Sequence, residues 1–177
     1  MEVKPEMTAR ALVTLLNWLD AAAIPVWLDG GWGVDALLQT QTRSHNDVDL
    51  ILQVADVPKV RDILGRRGFD IRRGTPPDSF VLADGAGLEV DIHAIKFDDE
   101  GNGICRMENG QDWIYPAKGF GGHGAVEGRS VRYLSPTAQV FCHAHGYTPT
   151  AKDCRDMDLL RRRFDVELPP QLMRGAG

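Results

Sequence analysis

The chain has 177 residues, 43% of them hydrophobic and 25% charged, which fits a soluble globular protein of one domain, or of one domain with a small helical appendage. A chain of this length buries roughly 70% of its unfolded surface, so it needs no disulfide or metal staple to fold. With 20 basic against 25 acidic residues and a net charge of −5, it lacks the basic surplus of a general phosphate-backbone binder, and bulk DNA or RNA is not an expected partner.

The opening MEVKPEMTAR carries both signs of charge and no apolar run, unlike a signal peptide. No later apolar stretch approaches a membrane span. A cytoplasmic protein is expected. Between Met7 and Ala22, Leu12, Leu15, Leu16 and Leu19 recur at helical spacing, and Pro25 closes the segment. Val26–Leu28 reads as a short buried strand, Gly30-Gly31 break it, and a helix follows over Trp32–Leu38. Asp47–Leu52 is a second strand. Asp56 suits the N-cap of a helix carrying Val60, Ile63 and Leu64, with Gly68 as its stop.

Strands are expected at Phe69–Arg72 and Ser79–Ala83, then a hairpin signal at Asp84-Gly85 and a strand over Leu88–Ile95. Residues 97–130 read as glycine-rich turns with Trp113-Ile114-Tyr115 as the one apolar stretch, and Val131–Leu134 as a last strand. Ser135-Pro136 starts a helix that ends at Gly146. A final helix from about Ala151 to Arg163 presents Met157, Leu160 and Phe164 on one side, and a frayed tail follows Pro169. The pattern is α+β, a mixed β-sheet flanked by helices over 1–134 with a small C-terminal helical part over 135–177. Cys105, Cys142 and Cys154 are odd in number and widely spaced, which reads as free thiols.

Chemistry concentrates in two strands. In Asp47-Val48-Asp49, residues i and i+2 share a strand face with Cα atoms about 6.5–7 Å apart, so both carboxylates point together. Like charges this close resist joint ionisation, and a divalent cation is the usual remedy. Glu89-Val90-Asp91-Ile92-His93 repeats the alternation, with Glu89, Asp91 and His93 on one face. A sheet that sets these strands side by side gathers three or four carboxylates, an oxygen-rich cluster that favours magnesium over zinc. Two such ions about 3.5–4 Å apart clamp an in-line phosphoryl displacement. Asp29-Gly30-Gly31-Trp32-Gly33 occupies a strand-to-helix junction, where glycines admit a close ligand and helix N–H groups favour phosphate oxygens. Arg43 and His45, just before the acidic strand, add positive charge or donors near a triphosphate.

Together Gly30-Gly31-Trp32, Asp47-Val48-Asp49 and the distal acidic strand resemble the polymerase-beta-type nucleotidyltransferase superfamily. WLDGGWGVDAL, R-x-H-x-D-x-D-L (Arg43–Leu50) and V-D-I-H (Val90–His93) are similar to the small lincosamide nucleotidyltransferases, with the aminoglycoside 2''-O-nucleotidyltransferases as close cousins. The similarity runs from about residue 8 to 168, more softly through YLSPTAQV and KDCRDMDLLRRRF. The resemblance implies a nucleotidyltransferase fold and transfer of AMP from ATP, or another nucleoside triphosphate, to a hydroxyl of a small-molecule antibiotic. A lincosamide comes first and an aminoglycoside second. It further implies that Gly30 and Gly31, with Trp32 beside them, hold the triphosphate. Asp47 and Asp49 bind magnesium, and Asp91 is the third carboxylate, either ligand or base. Glu89 and His93 remain alternative bases, Lys152 is a candidate phosphate contact, and a homodimer is compatible with the family.

Other signals are weaker. Gly119–Gly124 matches G-x-G-x-x-G but neither follows a strand nor opens a helix, so it reads as a mobile glycine loop rather than a dinucleotide site. His45-Asn46-Asp47 has the spacing of a facial iron triad, which the helical content disfavours. His143 and His145 are i, i+2 in a helix and share no face. A toxin-type nucleotidyltransferase acting on tRNA or protein is the competing enzyme class, and a catalytically silent partner the non-enzymatic one. Intact Asp47, Asp49 and Asp91 argue against the latter.

Overall fold

In the computed structural model, which describes residues 5–173, Thr8 caps the first helix by accepting a hydrogen bond from Ala11 N–H at 3.1 Å. Residues 1–4 of the opening stretch and 174–177 of the tail lie outside the described residues. Helix α1 (Ala9–Asp20) buries Leu12, Leu15, Leu16 and Leu19, the leucines whose spacing marks it. Strand β1 (Val26–Asp29) runs directly into α2 (Gly30–Leu38). β2 (Asp47–Gln53) leads through a 3-10 turn into α3 (Val57–Gly65), then β3 (Asp70–Gly74), β4 (Phe80–Ala83) and β5 (Glu89–Phe97). Asp56 precedes α3, but its side chain caps nothing. Asp84 shapes the β4–β5 turn by accepting from Ala86 and Leu88 N–H, both at 2.9 Å.

The segment expected to be turns holds three more strands: β6 (Gly103–Arg106), β7 (Asp112–Tyr115) and β8 (Gly122–Val126). β8 takes in the second half of the G-x-G-x-x-G match, Gly122–Gly124, which is therefore sheet, while Gly119 ends a 3-10 turn. β8 pairs antiparallel with β9 (Arg129–Tyr133). α4 (Pro136–His145), α5 (Ala151–Phe164) and a one-turn α6 (Pro170–Met173) complete the chain. Pro170–Met173, expected to be frayed, instead form a helical turn, because Leu172 packs beside Val140, Met157 and Leu160.

The sheet has the order β3-β4-β5-β2-β1-β9-β8, with β6 and β7 continuing from the far half of β5. β2 is antiparallel to β1 and parallel to β5. Alternation along β2 and β5 separates two environments. Val48, Leu50, Leu52, Val90, Ile92 and Ala94 enter the main core with α1 and α3. The intervening residues face the other way, where Ile51 and Ile95 join Trp27, Tyr115, Leu134 and Ala138 in a smaller apolar cluster. A third cluster joins α2 to α4, α5 and α6. Among the described residues, no helix is long and apolar enough to cross a membrane.

Candidate active site

Strand register assembles the site. β2 and β5 pair so that Asp47 stands beside Glu89, Asp49 beside Asp91 and Ile51 beside His93. On the other side β1 pairs Asp29 with Asp49. Asp29, Asp49 and Asp91 therefore form a row across three adjacent strands. This row lies at the floor of a cleft of about 510 Å³, bordered also by Gly30, Gly31, Arg43, Asp47, Lys152, and residues of β7 and α4.

The first turn of α2 is fitted closely to that floor. Asp29 accepts a hydrogen bond from Gly30 N–H at 2.8 Å. Gly30 has φ of +58°, and a Cβ there would collide with Asp49 Oδ2. A Cβ on Gly31 would lie 2.5 Å from both Arg43 Nη2 and His45 Nδ1. Both glycines are thus dictated by neighbours that reach the backbone.

His93 ties the carboxylates together: its Nε2 lies 3.5 Å from Asp49 Oδ1 and 3.8 Å from Asp91 Oδ1. Burial opposes the imidazolium, but hydrogen bonds to Asp49 and Cys105 and the charges of Asp91 and Asp49 outweigh it, raising the His93 pKa well above its ordinary value. Burial likewise opposes the Asp49 charge, yet the His93 hydrogen bond and charge, with electrostatic attraction toward His143 and Lys152, bring its pKa below the usual carboxylate value. Asp91 goes the other way. Desolvation, less the attraction of His93 and with the repulsion of Asp49, pushes it up to about 6. Asp47 is raised by desolvation and by Asp49, against the pull of Lys152. Ligand atoms of Asp49, Asp91 and His93 all fall within 4.8 Å of one another, a spacing that suits one metal ion. Asp47 borders the same cleft outside that group.

The expected nucleotide residues separate. Gly30, Gly31, Arg43, Asp47, Asp49, Asp91 and Lys152 meet at the cleft. Trp32 does not; it is buried in the main core, with its ring 4.7 Å from that of His45. His45 is also internal, its Nε2 2.5 Å from Asp35 Oδ2 and its Nδ1 3.0 Å from Arg43 Nη1. It braces the loop before β2 and presents no donor to the cleft. Arg43 reaches the cleft wall, but its Nε and Nη2 grip Asp156 of α5, the latter at 2.7 Å. Glu89 opens β5 opposite Asp47 without bordering the cleft.

Other residues border the cleft as well. Asp29 was legible only as the last residue of a strand before the glycines, since its role depends on register with Asp49. His143 borders the cleft with Nδ1 held 2.8 Å from the Gln139 carbonyl and Nε2 3.9 Å from Asp153. Its companion His145 borders the cleft as well, because α4 ends there. The i, i+2 spacing argues only against a shared metal, not against both lining one wall. Trp113, equally compatible with core or pocket wall, stands on the wall.

Comparison with known proteins extends the geometry. A lincosamide resistance protein of Staphylococcus haemolyticus is 28% identical over 155 residues, covering 88% of this chain and 95% of the relative. The lincomycin-bound crystal structure of the lincosamide antibiotic adenylyltransferase LnuA superimposes with a TM-score of 0.77 at 27% identity, over 89% of this chain and 98% of that one. ANT(2'')-Ia in complex with adenylyl-2''-tobramycin shares the fold, with a TM-score of 0.70 at 22% identity and 87% of each chain covered. The family model described as Aminoglycoside-2''-adenylyltransferase matches residues 11–160. That span takes in the glycine turn, both acidic strands and the cleft-facing part of α5, and the chain belongs to the aminoglycoside-2''-adenylyltransferase family.

Proposed function

We propose that this protein transfers AMP from ATP to a hydroxyl of a lincosamide antibiotic, with release of pyrophosphate. The observation that carries the reading is the pairing of Asp49 with Asp91 at the floor of a cleft that also contains the first turn of α2. The choice of acceptor is supported by similarity, over 88–89% of this chain, to a lincosamide resistance protein and to a lincomycin-bound adenylyltransferase.

The donor chemistry suits magnesium. Oxygen atoms dominate, and Asp47 and Asp91 are both raised in pKa by burial and by a like-charged neighbour, a repulsion that a bound cation relieves. Asp47 and Asp49, with Asp91 adjacent, would hold it. When bound, the ion withdraws charge from the α-phosphate and from the departing pyrophosphate.

The chain's own residues supply the remainder. Gly30 and Gly31 let the polyphosphate approach the backbone at the start of α2, and Lys152 adds a positive charge across the cleft. The acceptor oxygen attacks the α-phosphorus, the bond to the β-phosphate bridging oxygen breaks, and the hydroxyl proton passes to a carboxylate. Asp91 fits that last role best of the three candidates. It faces the cleft beside Asp49, and desolvation by burial, which favours proton uptake, is the largest cause of its raised pKa. His93 Nε2 is already engaged by Asp49 and Asp91, which raise its pKa, and Glu89 stands off the cleft.

Mass spectrometry after incubation with ATP, magnesium, lincomycin, clindamycin and an aminoglycoside panel tests the reading. A gain of one AMP on a lincosamide is expected. No gain on any compound, with label on tRNA or on protein instead, would point to the toxin-type transferases.

A further inference from the structure

Hydrogen bonding divides the carboxylates of the cleft into two groups. Asp47, Asp49 and Asp91 lie at the floor. Toward β7 and α4, the other carboxylates already hold protein donors. Asp112 accepts from Arg106 Nε at 2.6 Å. Asp153 accepts from Thr150 N–H, the Thr150 hydroxyl and the Tyr147 hydroxyl at 2.8, 2.6 and 2.8 Å. On the floor row itself, Asp29 takes Gly30 N–H at 2.8 Å and the Tyr115 hydroxyl at 3.5 Å. A polyamine entering the β7 and α4 end would find the lone pairs of Asp112 and Asp153 largely taken, so hydrogen bonding its ammonium groups there means displacing protein donors.

What this end presents instead is ring surface. The Trp113 indole stacks on Phe141 of α4, with centroids 5.6 Å apart and planes inclined at 29°. It meets the Tyr115 ring edge-on, at 6.3 Å and 85°. Two rings on two different elements thus hold the indole at the cleft border, which it reaches from the β6–β7 hairpin. A large aromatic fixed in this way loses little freedom when a ligand packs on it.

We infer that Trp113 is the specificity-determining residue for the acceptor. It is the platform for the apolar face of a hydroxylated molecule bearing at most one ammonium group, and the nearby Asp112 and Asp153, already occupied by protein donors, offer polycationic aminoglycosides few free acceptors. This rests on the AMP transfer proposed above, yet it separates the acceptor range of this chain from the one its family name suggests.

The test combines steady-state kinetics on lincomycin, clindamycin, kanamycin and tobramycin with calorimetric binding of lincomycin to the full chain without nucleotide. For Trp113→Ala, KM and Kd for lincomycin rise about tenfold while KM for ATP changes by less than about twofold. Trp113→Phe retains a ring against Phe141 and recovers most of the loss, which sets the effect apart from a folding defect. For the unaltered protein, kcat/KM on either aminoglycoside is lower than on lincomycin by a factor on the order of 100. Comparable turnover of kanamycin or tobramycin overturns the inference and leaves AMP transfer standing. So does a Trp113→Ala variant that shifts both KM values equally or neither. Trp113-dependent binding of lincomycin without labelling upholds the platform and sinks the reaction; absence of both binding and labelling sinks both.

Discussion

Replacing Gly30 by alanine imposes two penalties that can be measured apart. The first is backbone strain: φ is +58°, and a side chain in the left-handed region costs about 1–2 kcal/mol. In a chain of this size each kcal/mol lowers Tm by about 2–4 °C, so a fall of about 2–8 °C is expected. The second penalty is local. The new Cβ would collide with Asp49 Oδ2 and lie 2.9 Å from Asp49 Cγ, against about 3.5–4.0 Å for an ordinary carbon contact. The carboxylate has to swing aside by about 1 Å, and a displacement of that size at a reacting centre costs about 10²-fold in rate. Gly68→Ala is the control, since Gly68 has φ of +85° with nothing within 4 Å of its Cβ position. Both variants should melt lower by similar amounts, while only Gly30→Ala loses AMP transfer in single-turnover assays. Near-normal transfer by Gly30→Ala, or an equal loss in Gly68→Ala, would refute the reasoning that Gly30 exists to make room for Asp49.

Asp47→Asn and Asp49→Asn should each lower transfer by a factor on the order of 10³ with an unchanged circular dichroism spectrum, because each removes a charge from the proposed magnesium site; substantial retained turnover in either rules out that assignment. Asp91 is an acid whose pKa rises on folding to about 6, so its ionisation weakens the folded state as pH climbs past the unfolded value. Asp91→Asn should therefore stabilise the protein in EDTA by up to about 3 kcal/mol at pH 8 and by little at pH 4, read from paired melting curves. A pH-independent difference contradicts the shift. Arg43→Met leaves Asp156, whose side chain is 3% exposed, without its partner, and should cost about 3–5 kcal/mol in urea unfolding. Adding Asp156→Leu should restore most of that loss; a double variant as unstable as the single one argues against an unpaired charge as the cause.

The parts legible in the sequence were those whose signal is local. Alternation in Asp47–Gln53 and Glu89–Phe97 identifies both strands and the face that carries their carboxylates. β6 and β8 were hidden because each is short and begins with glycine, so neither shows a hydrophobic period. His45 and Arg43 illustrate a different limit. Composition places two donors beside the acidic strand, but their direction is set by Asp35 on α2 and by Asp156, 113 residues beyond Arg43. No spacing rule reports a partner so distant. The aromatic stack of Trp113 on Phe141 likewise joins a hairpin to a helix that only the folded chain brings together.

The strict alternation along β2 has a consequence for how the chain finds its fold. Sliding β2 by one residue would turn Asp47 and Asp49 into the main core and Val48, Leu50 and Leu52 out of it. Each unpaired buried carboxylate costs several kcal/mol, so the slipped pairing is excluded far more strongly than it would be for a strand of neutral residues. The carboxylates that make the site chemically useful are therefore also its proofreading device. Exchanging them for apolar residues to stabilise the floor would remove the penalty that keeps this strand in register.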